Sequence, residues 1–309
     1  MNMDRKKFLQ NSLLTGATAF AGAPFAFGNA RQGGKALSES DFNLNYAPHF
    51  GMFRHHGGND LIDQLKFMAD AGFTGLEDNG LMGRSPEMQE KIGQQLAKSG
   101  MDMGVFVVEK GGNGANSFSA GKEEFTEIFL DGCKRAVETA KRVNAKWMTV
   151  VPGNFTRHLP MGIQTANVVD TLRRGVEIFE PHDLVMVLEP LSDTPDLFLR
   201  TSAQTYQICR AVDSPACKIL YDIYHMQKNE GNLIHHIDLC WDEIAYFQQG
   251  DVPGRNEPGT GEINFQNIFK HIYDRGFEGI LGMEHGNSTG GKEGEQAVID
   301  AYRKADDFL

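Results

Sequence analysis

From about residue 40 to the end of the chain, short apolar runs alternate with longer stretches in which apolar residues recur every three or four positions. The short runs fall at 43–48, 75–78, 103–108, 147–151, 184–189, 219–222, 244–249 and 279–284. Between them, Leu61, Leu65, Phe67, Met68 and Ala71 precede Gly72, a natural helix stop. Phe125, Phe129, Cys133, Ala136, Val137 and Ala140 share one helical face, as do Val168, Leu172, Val176 and Phe179. Eight such strand–helix units with no break in composition predict one parallel α/β domain. A (β/α)₈ TIM barrel needs roughly 250 residues, and residues 35–309 supply that length. The alternative is an open doubly wound sheet, which would carry a glycine-rich turn after its first strand. Gly57-Gly58 lacks the required spacing, and Gly111-Gly112-Asn113-Gly114 is not followed by Lys-Ser/Thr, so neither reads as a phosphate cradle.

Charge narrows the ligand. Lys and Arg total 30 against 41 Asp and Glu, a formal net charge of -11. Such a chain is ill suited to nucleic-acid backbones and suits a small molecule held by local features. Residues 1–34 differ from the rest. Arg5, Lys6 and Lys7 precede an apolar, Ala/Gly-rich run, and Gly28-Asn29-Ala30 offers small residues for cleavage. This is the grammar of an export signal peptide, and the run is too short to span a bilayer. Arg5-Lys6 resembles a Tat-like twin-arginine motif with Lys in the second place. The expectation is a periplasmic or otherwise exported protein with no membrane span, with a cytoplasmic location as the alternative. Cys133, Cys209, Cys217 and Cys240 show neither CxxC pairing nor zinc spacing and are expected as buried small residues, with a disulfide as the alternative.

Barrel enzymes place their chemistry at the C-terminal ends of the strands. Four successive runs end in an oxygen donor: Glu189, Asp222, Gln248 and Glu284, each about one strand–helix unit from the next. Taken singly, a Glu or Asp at a strand end is more often a helix cap, and a Gln a satisfied polar residue. Together they would gather carboxylates at one rim, which is costly without a cation. The donor set is hard and oxygen-rich, suiting one divalent metal ion, Mg²⁺ or Mn²⁺ ahead of Co²⁺ or Zn²⁺. Glu77-Asp78 at the end of the second run, and Asn154 and His158 after the fourth, are candidates to line the same mouth. The adjacent pairs His55-His56 and His235-His236 point in divergent directions and read as exposed. Glu109 is left between pocket and solvent.

After the seventh run, residues 250–265 form a long loop stiffened by Pro253, Pro258 and several glycines. Within it, Arg255 and Glu257 are spaced to pair, which would fix a guanidinium for an anionic or hydroxylated ligand.

These motifs resemble the hydroxypyruvate isomerase family, within the xylose-isomerase-like barrels. The resemblance is carried by Glu189-Pro190-Leu191, by Asp222-Ile223-Tyr224-His225-Met226-Gln227 and by Gly231-Asn232-Leu233. It continues through Pro253-Gly254-Arg255-Asn256-Glu257-Pro258 and Gly261-Glu262-Ile263-Asn264-Phe265. It implies interconversion of small hydroxycarbonyl or sugar substrates through a metal-stabilised enediolate. It also implies Glu189, Asp222, Gln248 and Glu284 as metal ligands, with Glu189 and Glu284 doubling as catalytic acid and base. His225 and Arg255 resemble the family's substrate contacts, and Glu257 its supporting residue. Related keto-sugar epimerases carry His where Gln248 stands. An epimerase of a larger keto-sugar or cyclitol, and a non-catalytic sugar-binding barrel, are the alternatives, and a homo-oligomer is compatible with either.

Overall fold

The computed structural model describes residues 42–309; the expected leader at 1–34 lies outside them. Nine short parallel strands are present: β1 (Asn45–Ala47), β2 (Gly75–Leu76), β3 (Asp102–Met103), β4 (Phe106–Val107), β5 (Trp147–Val150), β6 (Val185–Leu188), β7 (Cys217–Asp222), β8 (Ile244–Gln248) and β9 (Ile280–Gly282). Hydrogen bonding runs β1-β9-β8-β7-β6-β5-β4 in one sheet and β2-β3 in another. The two sheets are continuous round a ring. Glu77 N donates to Pro48 O at 3.0 Å, joining β2 to β1. Asp78 N donates to Val105 O at 3.2 Å, joining β2 to the segment between β3 and β4. The nine strands therefore occupy eight positions, and the expected TIM barrel is the fold.

One predicted strand is interrupted. The run at 103–108 breaks at Gly104-Val105 because the Tyr246 side chain enters the barrel there. A Cβ on Gly104 would overlap the Tyr246 hydroxyl, and Val105 N turns to donate to that oxygen at 3.4 Å.

Helices form where the pattern and the caps agree. The helix Leu61–Asp70 starts on Asp60, whose carboxylate accepts from Ile62 N and Asp63 N, and is followed by Gly72 at φ +97°. The helix Pro86–Ser99 has Ser85 as its cap, Pro in its first turn and left-handed Gly100 at its end. The longest, Glu123–Val143, buries Phe129, Cys133, Ala136, Val137 and Ala140 against the sheet. The four cysteines are free and buried, as expected. Among the described residues no helix is long and apolar enough to cross a membrane.

Two cores result. The larger fills the space between strands and helices. The smaller is the barrel interior, where Ala47, Val105, Val185, Val187, Leu220, Tyr246 and Ile280 pack. Above this layer the interior turns polar: Glu77, Asp222 and Gln248 are fully buried. Glycines make that possible. A Cβ on Gly282 would overlap the Glu77 carboxylate. Gly282→Ala is therefore expected to destabilise by about 1–3 kcal/mol or more through overpacking. The reading is a lower urea midpoint with an unchanged slope.

Candidate active site

Strand register brings the expected residues together. Asp222 and Gln248 are paired Cα partners on β7 and β8, so their side chains leave the sheet on one face. Gln248 is in turn paired with Gly282 on β9, and Glu284 follows two residues later. Glu189 comes directly after β6, its backbone N–H donating to Val150 O at 3.3 Å. Asp222 also caps the short helix Ile223–Asn229, accepting from His225 N at 3.2 Å. That cap swings the His225 ring back over the strand ends. Ligand-capable atoms of Glu189, Asp222, His225 and Glu284 all lie within 4.8 Å of one another.

Burial and mutual repulsion set the protonation of these groups. Glu189 is held well above the usual carboxylate range, first by burial and then by Glu284 and Asp222. Burial pushes Glu284 up to about 7, with the nearby Arg255 charge pulling the other way. His225 is depressed, mainly by burial, and so favours the neutral ring. Its tautomer follows from its partners. Ser192 N, which can only donate, lies 3.1 Å from Nδ1, and the Ser192 hydroxyl lies 2.7 Å from the same atom. Nδ1 is thus the acceptor, and Nε2 keeps the proton. That Nε2 is buried without a hydrogen-bond partner, 3.6 Å from Asp222 Oδ2 and 3.9 Å from Glu189 Oε1. A protonated Nε2 has no lone pair for a cation. It is a donor aimed into the site.

The fourth ligand-like atom comes from Gln248. Its Nε2 donates to Glu77 Oε1 at 2.7 Å, and its carbonyl Oε1 is buried with no partner. An orphaned buried carbonyl oxygen on the residue paired with Asp222 across the strands is what a bound divalent cation would satisfy. The chemistry of Glu189, Asp222, Gln248 and Glu284 therefore fits such an ion, and His225 fits a different task.

Arg255 departs from expectation. It does not pair with Glu257. Its Nη2 donates to Glu284 Oε2 at 2.7 Å and Asp222 Oδ2 at 3.1 Å, and the guanidinium lies over the Tyr224 ring at 4.8 Å. Its buried Nε has no partner. The Glu257 carboxylate instead accepts from the backbone N–H of Ser288, at 2.9 Å, and from its hydroxyl. Glu257 thus clasps the loop after β9 to the loop after β8. The reason is the loop's own frame. Asp251, fully buried, accepts from the N–H groups of Val252, Gly259, Gly261 and Ile263. The chain folds round this carboxylate, and Arg255, at φ +51°, is turned inward while Glu257 faces the neighbouring loop.

Other expectations resolve as follows. Asp78 lies beside the mouth but is committed to Arg84, whose Nε donates to it at 2.5 Å. Asn154 bridges to Leu197 through its backbone, and His158 is exposed. Glu109 faces solvent and pairs with Arg135. His55 is exposed as expected, whereas His56 is half-buried and pairs with buried Glu295 at 2.6 Å. Three residues that the sequence did not single out touch the site: Asn79, whose Nδ2 donates to Glu284 Oε1 at 2.8 Å, Ser192 and Tyr246. Asn79 directly follows Glu77-Asp78 past the second strand, and that position was its only signal.

With this geometry in place, known proteins show the same arrangement of the chain. The family described as xylose isomerase-like TIM barrel matches residues 65–305. A hydroxypyruvate isomerase of Escherichia coli is 28% identical over 268 residues, covering 85% of this chain and 99% of the relative. A 2-oxo-tetronate isomerase of Pectobacterium atrosepticum is 27% identical, covering 73% and 86%. Among solved structures, a 3-keto-D-glucoside 4-epimerase from E. coli superposes with a TM-score of 0.70 at 20% identity, covering 85% and 98%. The zinc-bound IOLI protein superposes at 0.66 with 16% identity, covering 85% and 96%. The structural likenesses speak for the fold, and the sequence matches extend over most of the chain. The relatives named as hydroxypyruvate and 2-oxo-tetronate isomerases support an isomerase enzyme, and the chain belongs to the xylose-isomerase-like TIM barrel family.

Proposed function

We propose that this isomerase moves a proton between adjacent carbons of a small hydroxycarbonyl or ketose, hydroxypyruvate-like in size, with one divalent cation held by Glu189, Asp222, Gln248 and Glu284. The observation that carries the reading is the pair of carboxylates, buried Glu189 and half-buried Glu284, converging from the ends of β6 and β9 on one space shared with Asp222 and the Nε2–H of His225. The relatives named as hydroxypyruvate and 2-oxo-tetronate isomerases support it. Mg²⁺ or Mn²⁺ suits the donor set best, ahead of Co²⁺ or Zn²⁺.

A proton on a carbon beside a carbonyl is very weakly acidic, so a base must be matched to neutral pH and the developing oxyanion must be stabilised. A cation held by Glu189, Asp222, Gln248 and Glu284 would supply Lewis-acid stabilisation of negative charge developing on the substrate oxygens. Glu284, at about 7, is poised to take a proton near neutrality and to give it back. Glu189, raised by the same burial, is the complementary group across the substrate. The His225 Nε2–H donates to a substrate oxygen where negative charge develops, without passing a full proton. The free Arg255 Nε is a second donor, suited to a carboxylate or hydroxyl of the substrate. Asn79 holds one Glu284 oxygen and leaves the carboxylate's orientation fixed. Glu257 serves by anchoring the loop that presents Arg255.

The decisive experiment is solvent-deuterium exchange at the substrate carbon, followed by NMR with hydroxypyruvate and a panel of ketoses. Glu189→Gln and Glu284→Gln are each expected to slow exchange by about 10²–10⁴-fold, and chelation of the cation to abolish it until Mn²⁺ is restored. Exchange at the wild-type rate in Glu284→Gln would remove the acid–base assignment. Binding of a sugar with no exchange in wild type would identify a sugar-binding barrel, and turnover of larger keto-sugars alone an epimerase.

The same carboxylate gives a pH signature in the metal-free protein. Its native pKa of about 7 lies above the ordinary 4.5, so between these values the native state holds the proton that the unfolded state has lost. Stability therefore falls as pH rises through this window. Measured against Glu284→Gln, the metal-free wild type is expected to lose melting temperature from pH 4.5 to 7; a flat difference would contradict the assignment.

The leader pattern at 1–34 supports export. Expressed in a Gram-negative host, the full chain is expected to appear in the periplasmic fraction with its N-terminus near residue 35, as read by intact mass.

A further inference from the structure

Gln248 presents a problem of orientation. Its amide has an acceptor end and a donor end of almost equal size. Beside Asp222 and Glu284, the donor end is electrostatically preferred: left to itself, the NH₂ would turn toward the carboxylates and bar a cation. In the structure the amide is turned the other way. Nε2 donates to Glu77 Oε1 at 2.7 Å, and Oε1 is the buried atom without a partner.

Resting on the cation reading above, we propose that Glu77 is a positioning residue: it claims the NH₂ of Gln248, so that the carbonyl oxygen faces the Glu189–Asp222–Glu284 cluster. The Glu77 Oε1 accepts from the amide Nε2 while the Tyr246 hydroxyl donates to Oε2, so the donor end of the amide is the one that meets Glu77. Glu77 is itself fixed. It is 1% exposed, its backbone N–H donates to Pro48 O, and its Oε2 accepts from the Tyr246 hydroxyl at 3.1 Å. Tyr246 and Gln248 stand two residues apart on β8 and so point to the same interior face. The space for this chain is built by absence: side chains at Gly282 and Gly104 would overlap Glu77 and Tyr246 respectively. A carboxylate in the barrel interior, with Gly282 opposite it, has no packing role that an aliphatic residue would not fill better.

The test is Mn²⁺ titration by calorimetry of the EDTA-treated full chain. Glu77→Gln keeps the shape but offers both amide ends, and its Mn²⁺ dissociation constant is expected to rise by about 10–100-fold. Its metal-free melting temperature should not fall, because a buried carboxylate is gone. In a Gln248→Ala background, Glu77→Gln should cause no further loss, since it acts through the amide. An equal loss in that background, or a wild-type affinity in Glu77→Gln alone, would overturn the positioning role and leave the cation site standing. If wild type binds no Mn²⁺, the proposal falls together with the cation reading. Should Glu77→Gln not fold, Tyr246→Phe removes one of the two donors on Glu77 and is expected to weaken Mn²⁺ binding to a smaller extent; unchanged affinity there would count against the proposal.

Discussion

Like charges gathered in a buried place govern this molecule. Glu77, Glu189, Asp222 and Glu284 meet inside the mouth of the barrel, where burial and mutual repulsion raise the pKa values of Glu77, Glu189 and Glu284. Such a cluster does not pack for its own sake, since each carboxylate taken from water costs several kcal/mol. Every nearby donor is arranged against that cost. Arg255 bridges Asp222 and Glu284, Asn79 holds Glu284, and Tyr246 with Gln248 holds Glu77. What these donors leave unmatched is the buried carbonyl oxygen of Gln248, while Glu189, Asp222 and Glu284 converge on one space.

The fold serves this cluster in two ways. Parallel register fixes which side chains leave the strands on the same face, so Asp222 and Gln248 are neighbours by geometry rather than by flexible reach. Interior glycines then leave room for polar groups where a TIM barrel would otherwise stack branched apolar side chains. The lower interior layer, from Ala47 to Ile280, keeps the apolar filling. The change from apolar to polar along the barrel axis therefore follows from a few strand positions.

The strand ends carrying Glu189, Asp222, Gln248 and Glu284 were legible because each closes an apolar run, and the period of the fold spaces them. The loop after β8 was legible only in composition. Its prolines and glycines announce a shaped loop, but the pairing of Arg255 with Glu257 suggested by spacing gives way to the frame that Asp251 imposes. Four backbone N–H groups converging on one buried carboxylate outweigh a single contact between side chains near each other in sequence. Asn79, Ser192 and Tyr246 were hidden for a related reason: nothing in a short polar or aromatic residue tells which distant group it will meet.

By itself, the sequence determined the strand–helix alternation, the order of the barrel, the rim at which the oxygen donors cluster and the burial of the cysteines. Each of these depends on local periodicity, which a linear chain displays. Only the tertiary structure decided the protonated nitrogen of His225, the direction of the Gln248 amide and the partners of Arg255. Those are settled by contacts between residues far apart in the chain, where directional hydrogen bonds and charge, rather than hydrophobic period, select among near-equal local choices.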